Sequence, residues 1–129
     1  GLGDVYKRQV GAYEDYLFYT VKEDGKKKLC IYELNSGTAY TLENGKTEAA
    51  VWNDQIFVCD ENGNAELRSL NDPLIVTKEF KLPYTLRSTS AYSPRVIPVG
   101  KNLAFVTSEK TVVLIDKELK EVASFSTEA

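Results

Sequence analysis

Apolar and polar residues alternate in short runs from Val10 onward, and turn residues punctuate the runs. A period of two, rich in β-branched and aromatic residues, predicts strands; a helix needs apolar positions three and four apart over a longer window. Residues 16–21 (YLFYTV) form the first run and stop at Asp24 and Gly25. Residues 28–34 (KLCIYEL) stop at Asn35, Ser36 and Gly37, and residues 38–42 close at Asn44 and Gly45. Asp-Gly and Asn-Gly pairs supply the positive φ angles of tight hairpins. The same order returns twice. Residues 55–60 run into Asn62 and Gly63, residues 66–70 into Asp72 and Pro73, and residues 74–80 complete the unit. A third copy starts at Asn102, turns at 108–110, continues through 112–116 and ends with 121–125. Residues 47–51 come nearest to a helix, and a segment of that length is not stable alone.

Two sets of landmarks give the repeat length. Tyr16, Gln55 and Asn102 open equivalent runs 39 and 47 residues apart, and Ile31, Leu67 and Val113 lie 36 and 46 apart. The longer second spacing comes from the Pro-containing stretch 82–98. Units of about 40 to 50 residues with four short strands are the pattern of β-propeller blades. The predicted fold is all-β: about three four-stranded antiparallel blades at residues 10–45, 46–82 and 93–129, with a connecting loop at 83–92. A ring closes with about four to eight blades, so this is an incomplete propeller. A solenoid or an open β-sandwich is the other architecture these strands allow. The apolar runs 17–21, 56–59 and 112–115 are expected as inner strands, and residues 52–54 (WND) as the opening of a strand.

The start of the chain differs from the rest. Residues 4–9 (DVYKRQ) are similar to the in-frame translation of a transposase sequencing adapter, and methionine is absent throughout. Residues 1–9 are therefore expected to lie outside the evolved fold, and the remainder to be a metagenomic fragment of a longer protein.

The strings DYLFYT (15–20), LCIYELNSG (29–37) and VLID (113–116) resemble those of bacterial propellers of the TolB-like and YncE-like kinds. The resemblance spans residues 10–125. It implies a non-catalytic scaffold that binds a protein or a small ligand, in an extracytoplasmic setting. The alternative it implies is the propeller portion of a larger secreted enzyme whose catalytic residues lie outside this sequence. Fold alone does not choose between them. The chain departs from other propeller patterns. It has no Gly-His and Trp-Asp pair of the WD40 type, no double glycine of the kelch type, and no Trp-docking repeat of the quinone-cofactor dehydrogenases. No cofactor is inferred.

Composition narrows the chemistry further. Histidine is absent, which removes a Ser-His-Asp triad, a Cys-His dyad and a His-ligated metal from these residues. No Walker A, GxGxxG or GxSxG string occurs. The net charge of −3 is opposite to the basic footprint of a nucleic-acid binder, and no nucleic-acid partner is expected. The one basic run, Lys26, Lys27 and Lys28, falls at a predicted hairpin tip. No stretch reaches the roughly 18 apolar residues of a membrane helix. Cys30 and Cys59 lie in apolar runs without CxxC spacing and read as buried free thiols, with a single bridge as the alternative in an oxidising compartment.

Two groups of candidate site residues remain. Asp60, Asn62 and Asn64 place oxygen side chains at alternate positions, as calcium loops do, but Ala65 and Asn71 stand where an EF-hand needs Gly and Glu. Gly63 fits a plain hairpin turn as well. Tyr84, Arg87, Tyr92 and Arg95 crowd the long connection, and such residues are enriched in binding hot spots. An ordinary crossover with its tyrosines packed down is the other reading.

Overall fold

The computed structural model describes residues 6–13, 15–88 and 95–127, the first segment as backbone alone. Three four-stranded antiparallel sheets result, each made of consecutive strands. The first holds β1 (Tyr6–Tyr13), β2 (Tyr16–Glu23), β3 (Lys26–Glu33) and β4 (Thr38–Leu42). The second holds β5 (Glu48–Trp52), β6 (Gln55–Cys59), β7 (Asn64–Ser69) and β8 (Val76–Lys81). The third holds β9 (Val96–Val99), β10 (Asn102–Val106), β11 (Thr111–Ile115) and β12 (Glu121–Ser126). The landmarks Tyr16, Gln55 and Asn102 each begin the second strand of a sheet. β1 starts at Tyr6, so the backbone of residues 6–9 pairs along β2. Backbone hydrogen bonds ask for no particular side chain, which lets an adapter-like string serve as an edge strand.

Turn chemistry sets the registers. Asp24 (φ 52°) and Gly25 (φ 79°) link β2 to β3, and Asn53 (φ 50°) and Asp54 (φ 60°) link β5 to β6. Two consecutive left-handed residues match the twist of the flanking strands. The second hairpin corrects an expectation: Trp52 closes β5 and pairs with Gln55, so residues 52–54 end one strand before the next begins.

β5 lies beside both β1 and β9, so the three sheets fan out from these strands. β4, β8 and β12 form the rim, and β12 is exposed along its length. The expected inner runs therefore sit one or two strands further out: 17–21 in β2, 56–59 in β6 and 112–115 in β11. These strands have hydrogen-bonded neighbours on both edges, which is why they read as continuous apolar runs. The innermost places belong to segments that looked least like strands. Residues 48–51, nearest to a helix by sequence, are in β5, and β9 carries Pro98. An edge strand accommodates proline because one row of its backbone groups has no ladder partner.

Two apolar layers hold the sheets together. Between the first and second lie Phe18, Leu29, Ile31, Ile56 and Val58. Between the second and third lie Trp52, Phe57, Leu103, Phe105 and Ile115. Burial of each such side chain contributes about 1.5–3 kcal/mol. Polar ties cross both layers as well: the Tyr16 hydroxyl donates to the Leu70 carbonyl, and Trp52 Nε1 donates to the Lys101 carbonyl at 2.8 Å.

Candidate binding groove

The connection leaving β8 passes over two hairpin turns and is stitched to both. Leu82 N donates to Gly63 O at 2.8 Å and Leu86 N to Glu61 O at 2.9 Å, on the β6–β7 turn. Arg87 N donates to Val106 O, and Ser108 N donates to Thr85 O, each at 2.9 Å, at the β10–β11 turn. The first crossing is close. A Cβ on Gly63 would sit 2.5 Å from Tyr84 O and 2.9 Å from Leu82 O.

Both turns are built alike. Asp60 Oδ1 accepts from Asn62 N at 2.9 Å and Asn64 N at 3.0 Å, and Oδ2 accepts from Asn64 Nδ2 at 2.9 Å. In the third sheet Thr107 takes the place of Asp60: its hydroxyl bonds that of Thr111 at 2.6 Å and accepts from Glu109 N at 3.3 Å. The Asp60 carboxylate thus serves the turn itself. The Lys81 ammonium takes the Asn62 carbonyl at 2.7 Å and Asn64 Oδ1 at 3.4 Å. No group of three or more His, Cys, Asp or Glu side chains that could hold a metal ion occurs among the described residues. Burial works against the Asp60 charge, but the hydrogen bonds from Asn64 and Asn62 outweigh it and hold its carboxyl below the usual range.

Above the connection lies an open groove of about 670 Å³ between the second and third sheets. Lys81, Tyr84, Thr85, Ser108, Glu109 and Glu121 are among its walls. Tyr84 packs its ring against Phe105 at 6.1 Å between centroids, and its hydroxyl donates to Glu121 Oε1 at 3.3 Å. Partial burial, then the Glu121 charge, raises its phenol above the ordinary value. Thr85 and Ser108 join their hydroxyls across the floor.

Of the four connection residues singled out by sequence, Tyr84 lines this groove. Arg95 is buried: its Nε donates to Glu48 Oε1 at 2.9 Å, and its Nη1 to Glu61 Oε1 at 3.1 Å and to Arg87 O at 2.7 Å. Burial alone would lower its pKa, but the two carboxylates outweigh it and raise it. Its guanidinium is committed to holding the connection down. Arg87 is half-buried, and its Nε has no hydrogen-bond partner among the described residues. Tyr92 lies outside the described residues. Thr85, Ser108, Glu109 and Glu121 went unremarked in the sequence, because hydroxyls and carboxylates at strand ends look like ordinary turn residues. Cys30 and Cys59 are both free and buried. Burial, then the nearby Glu48 and Asp60 charges, pushes the Cys59 thiol well up.

Four-stranded sheets fanning from a shared inner edge and packed face to face are blades of a β-propeller. The crystal structure of BamB from Moraxella catarrhalis matches with a TM-score of 0.59 at 12% identity, over 87% of this chain and 34% of that one. The chain thus spans about a third of that propeller's length. The likeness is one of fold, and it does not single out the TolB-like or YncE-like kinds. No protein-family model matches the chain, and no curated protein does.

Proposed function

We propose that this chain is a non-catalytic propeller segment that binds a protein or small ligand, through the groove between its second and third blades. The observation that carries this reading is the pinned connection. Its backbone is bonded to a turn on each side, so the groove's polar groups sit on a rigid frame. A preformed surface spares the ordering cost that a mobile loop would incur on binding. The open shape and the row of hydroxyls and carboxylates favour an extended polar segment over a compact apolar molecule. The reading includes an extracytoplasmic setting, supported by the resemblance of the strand pattern to TolB-like and YncE-like propellers.

Selection of a displayed peptide library on the immobilised chain tests it. Recovered peptides are expected to lose binding to Ser108→Trp, which fills the groove, and to keep it with Lys27→Ala at the far hairpin tip. Peptides indifferent to Ser108→Trp would sink the proposal.

A further inference from the structure

The three sheets repeat one another position by position, and the repeat shows what one bare face is built to meet. In the second sheet, side chains facing the third lie in two cross-strand rows: Cys59, Ala65 and Phe80, and Ala50, Phe57 and Leu67. The register of the first sheet gives the matching rows Thr20, Leu29 and Leu42, and Phe18, Ile31 and Tyr40, which face the second. Carried to the third sheet, the rows become Val106, Val112 and Phe125, and Ile97, Ala104 and Leu114. All six are apolar. Yet no described residue outside this sheet packs on that side in either core layer. Phe125 is 56% exposed and Ile97 38%, Val112 and Leu114 are half-buried, and Ala104 and Val106 are buried although neither belongs to a core layer. The equivalent residues of the second sheet, Phe80 and Ala50, pack in the layer against the third.

We infer that this face of the third sheet is an interface for a further four-stranded blade, which lays on it a rear face of large aliphatic and aromatic side chains. Three observations select that occupant. The bare rows continue an interface already formed twice in the chain. The structure that the fold matches is of a chain about three times as long, so that chain continues beyond the matched part. The third observation is one of size. The front-row position held by Phe18 and Phe57 is held by Ala104 in the third sheet. Interiors pack to near-crystalline density, so the missing ring has to be supplied from across the joint. The incoming sheet therefore carries a bulky residue at its counterpart of Phe105. The inference rests on the fold and is independent of the groove.

Thiol labelling tests it. Val112→Cys introduces a thiol on the bare face, while Cys30 and Cys59 are buried and give little background. In the 129-residue chain at low concentration the new thiol is expected to react rapidly with a maleimide. Joining a second copy of residues 82–127 after β12 supplies a fourth blade with its own connection, and labelling is expected to slow at least about tenfold, as burial-limited opening requires. Equal rates in both chains, with the added strands formed by circular dichroism, overturn the inference. So does a 129-residue chain already protected and sedimenting as a dimer, since a second copy would then be the occupant. Should the extended chain not fold, a pair of substitutions still decides. Val112→Lys is expected to leave the urea midpoint nearly unchanged, and Ala65→Lys, at the equivalent but covered position, to abolish cooperative unfolding. Equal damage from both overturns the inference.

Discussion

Replacing Gly63 by alanine isolates how tightly the connection is laid over the β6–β7 turn. Gly63 has φ +89°, and its carbonyl accepts from Leu82 N at 2.8 Å. Alanine at a positive φ costs about 1–2 kcal/mol. A Cβ at 2.5 Å from Tyr84 O and 2.9 Å from Leu82 O adds a second cost, because both contacts are backbone and neither swings aside. Forcing an extra carbon into a packed site costs about 1–3 kcal/mol. The total of about 2–5 kcal/mol is a large share of the roughly 5–15 kcal/mol that holds a typical domain folded. Gly45→Ala is the control. Its φ is +80°, but a Cβ there meets nothing within 4 Å, so only the backbone cost applies. The entropy an alanine removes from the unfolded chain is common to both and cancels in the difference. Urea unfolding followed by fluorescence of the single tryptophan, Trp52, reads the joint directly, because the indole is buried between the second and third sheets. Gly63→Ala is expected to lose about 1–3 kcal/mol more than Gly45→Ala. Losses within about 0.5 kcal/mol of each other would refute the close crossing.

Other substitutions probe the remaining ties. Trp52→Phe leaves the Lys101 carbonyl without its indole donor and is expected to cost about 1–3 kcal/mol in the same urea assay. Arg95→Met strands the buried Glu48 carboxylate and is expected to cost about 3–5 kcal/mol, with Glu48→Leu in the same chain restoring part of it in a double-mutant cycle. Asp60 has a folded pKa below its unfolded value of about 3.9, so its contribution is complete above that value and is lost as pH falls through the folded one. Acid titration is expected to show stability declining more steeply below about pH 4 in the natural chain than in Asp60→Asn. Cys30 and Cys59 are expected to resist a thiol reagent until urea unfolds the chain, when two thiols react together.

What the sequence made legible was the part governed by local chemistry. The Asp24 and Gly25 hairpin, the runs opening at Tyr16, Gln55 and Asn102, and the strand at residues 38–42 all follow from turn residues and alternation. The innermost strands were hidden because their conformation is imposed from a distance. Ala49 and Ala50 have little strand preference of their own and are extended because β6 pairs with them. Pro98 argues against a strand until its place at the inner edge is known. The groove was half visible. Tyr84 stood out by residue type, but nothing near Arg95 in sequence announced Glu48, 47 positions away, as the partner that would bury it. Equally, Ser108 and Thr85 become neighbours only when the connection crosses the turn.

The buried pair Glu66 and Arg68 bears on how such a chain could have grown by duplication. Both lie on β7 on the side facing the first sheet, where Arg68 bonds Glu66 at 2.8 Å and the Pro73 carbonyl at 2.9 Å, and Asn44 bonds Glu66 at 3.2 Å. By register the third sheet has Val113 and Ile115 at those places, and the first has Cys30 and Tyr32. A copy of the second sheet inserted elsewhere would bring two buried charges to a joint that lacks Asn44. A copy of the third inserted here would leave Asn44 facing a hydrocarbon wall. The blades share a backbone plan, yet the joint between the first and second carries a buried ion pair and its Asn44 partner, so the order of these two along the chain is written into the side chains between them.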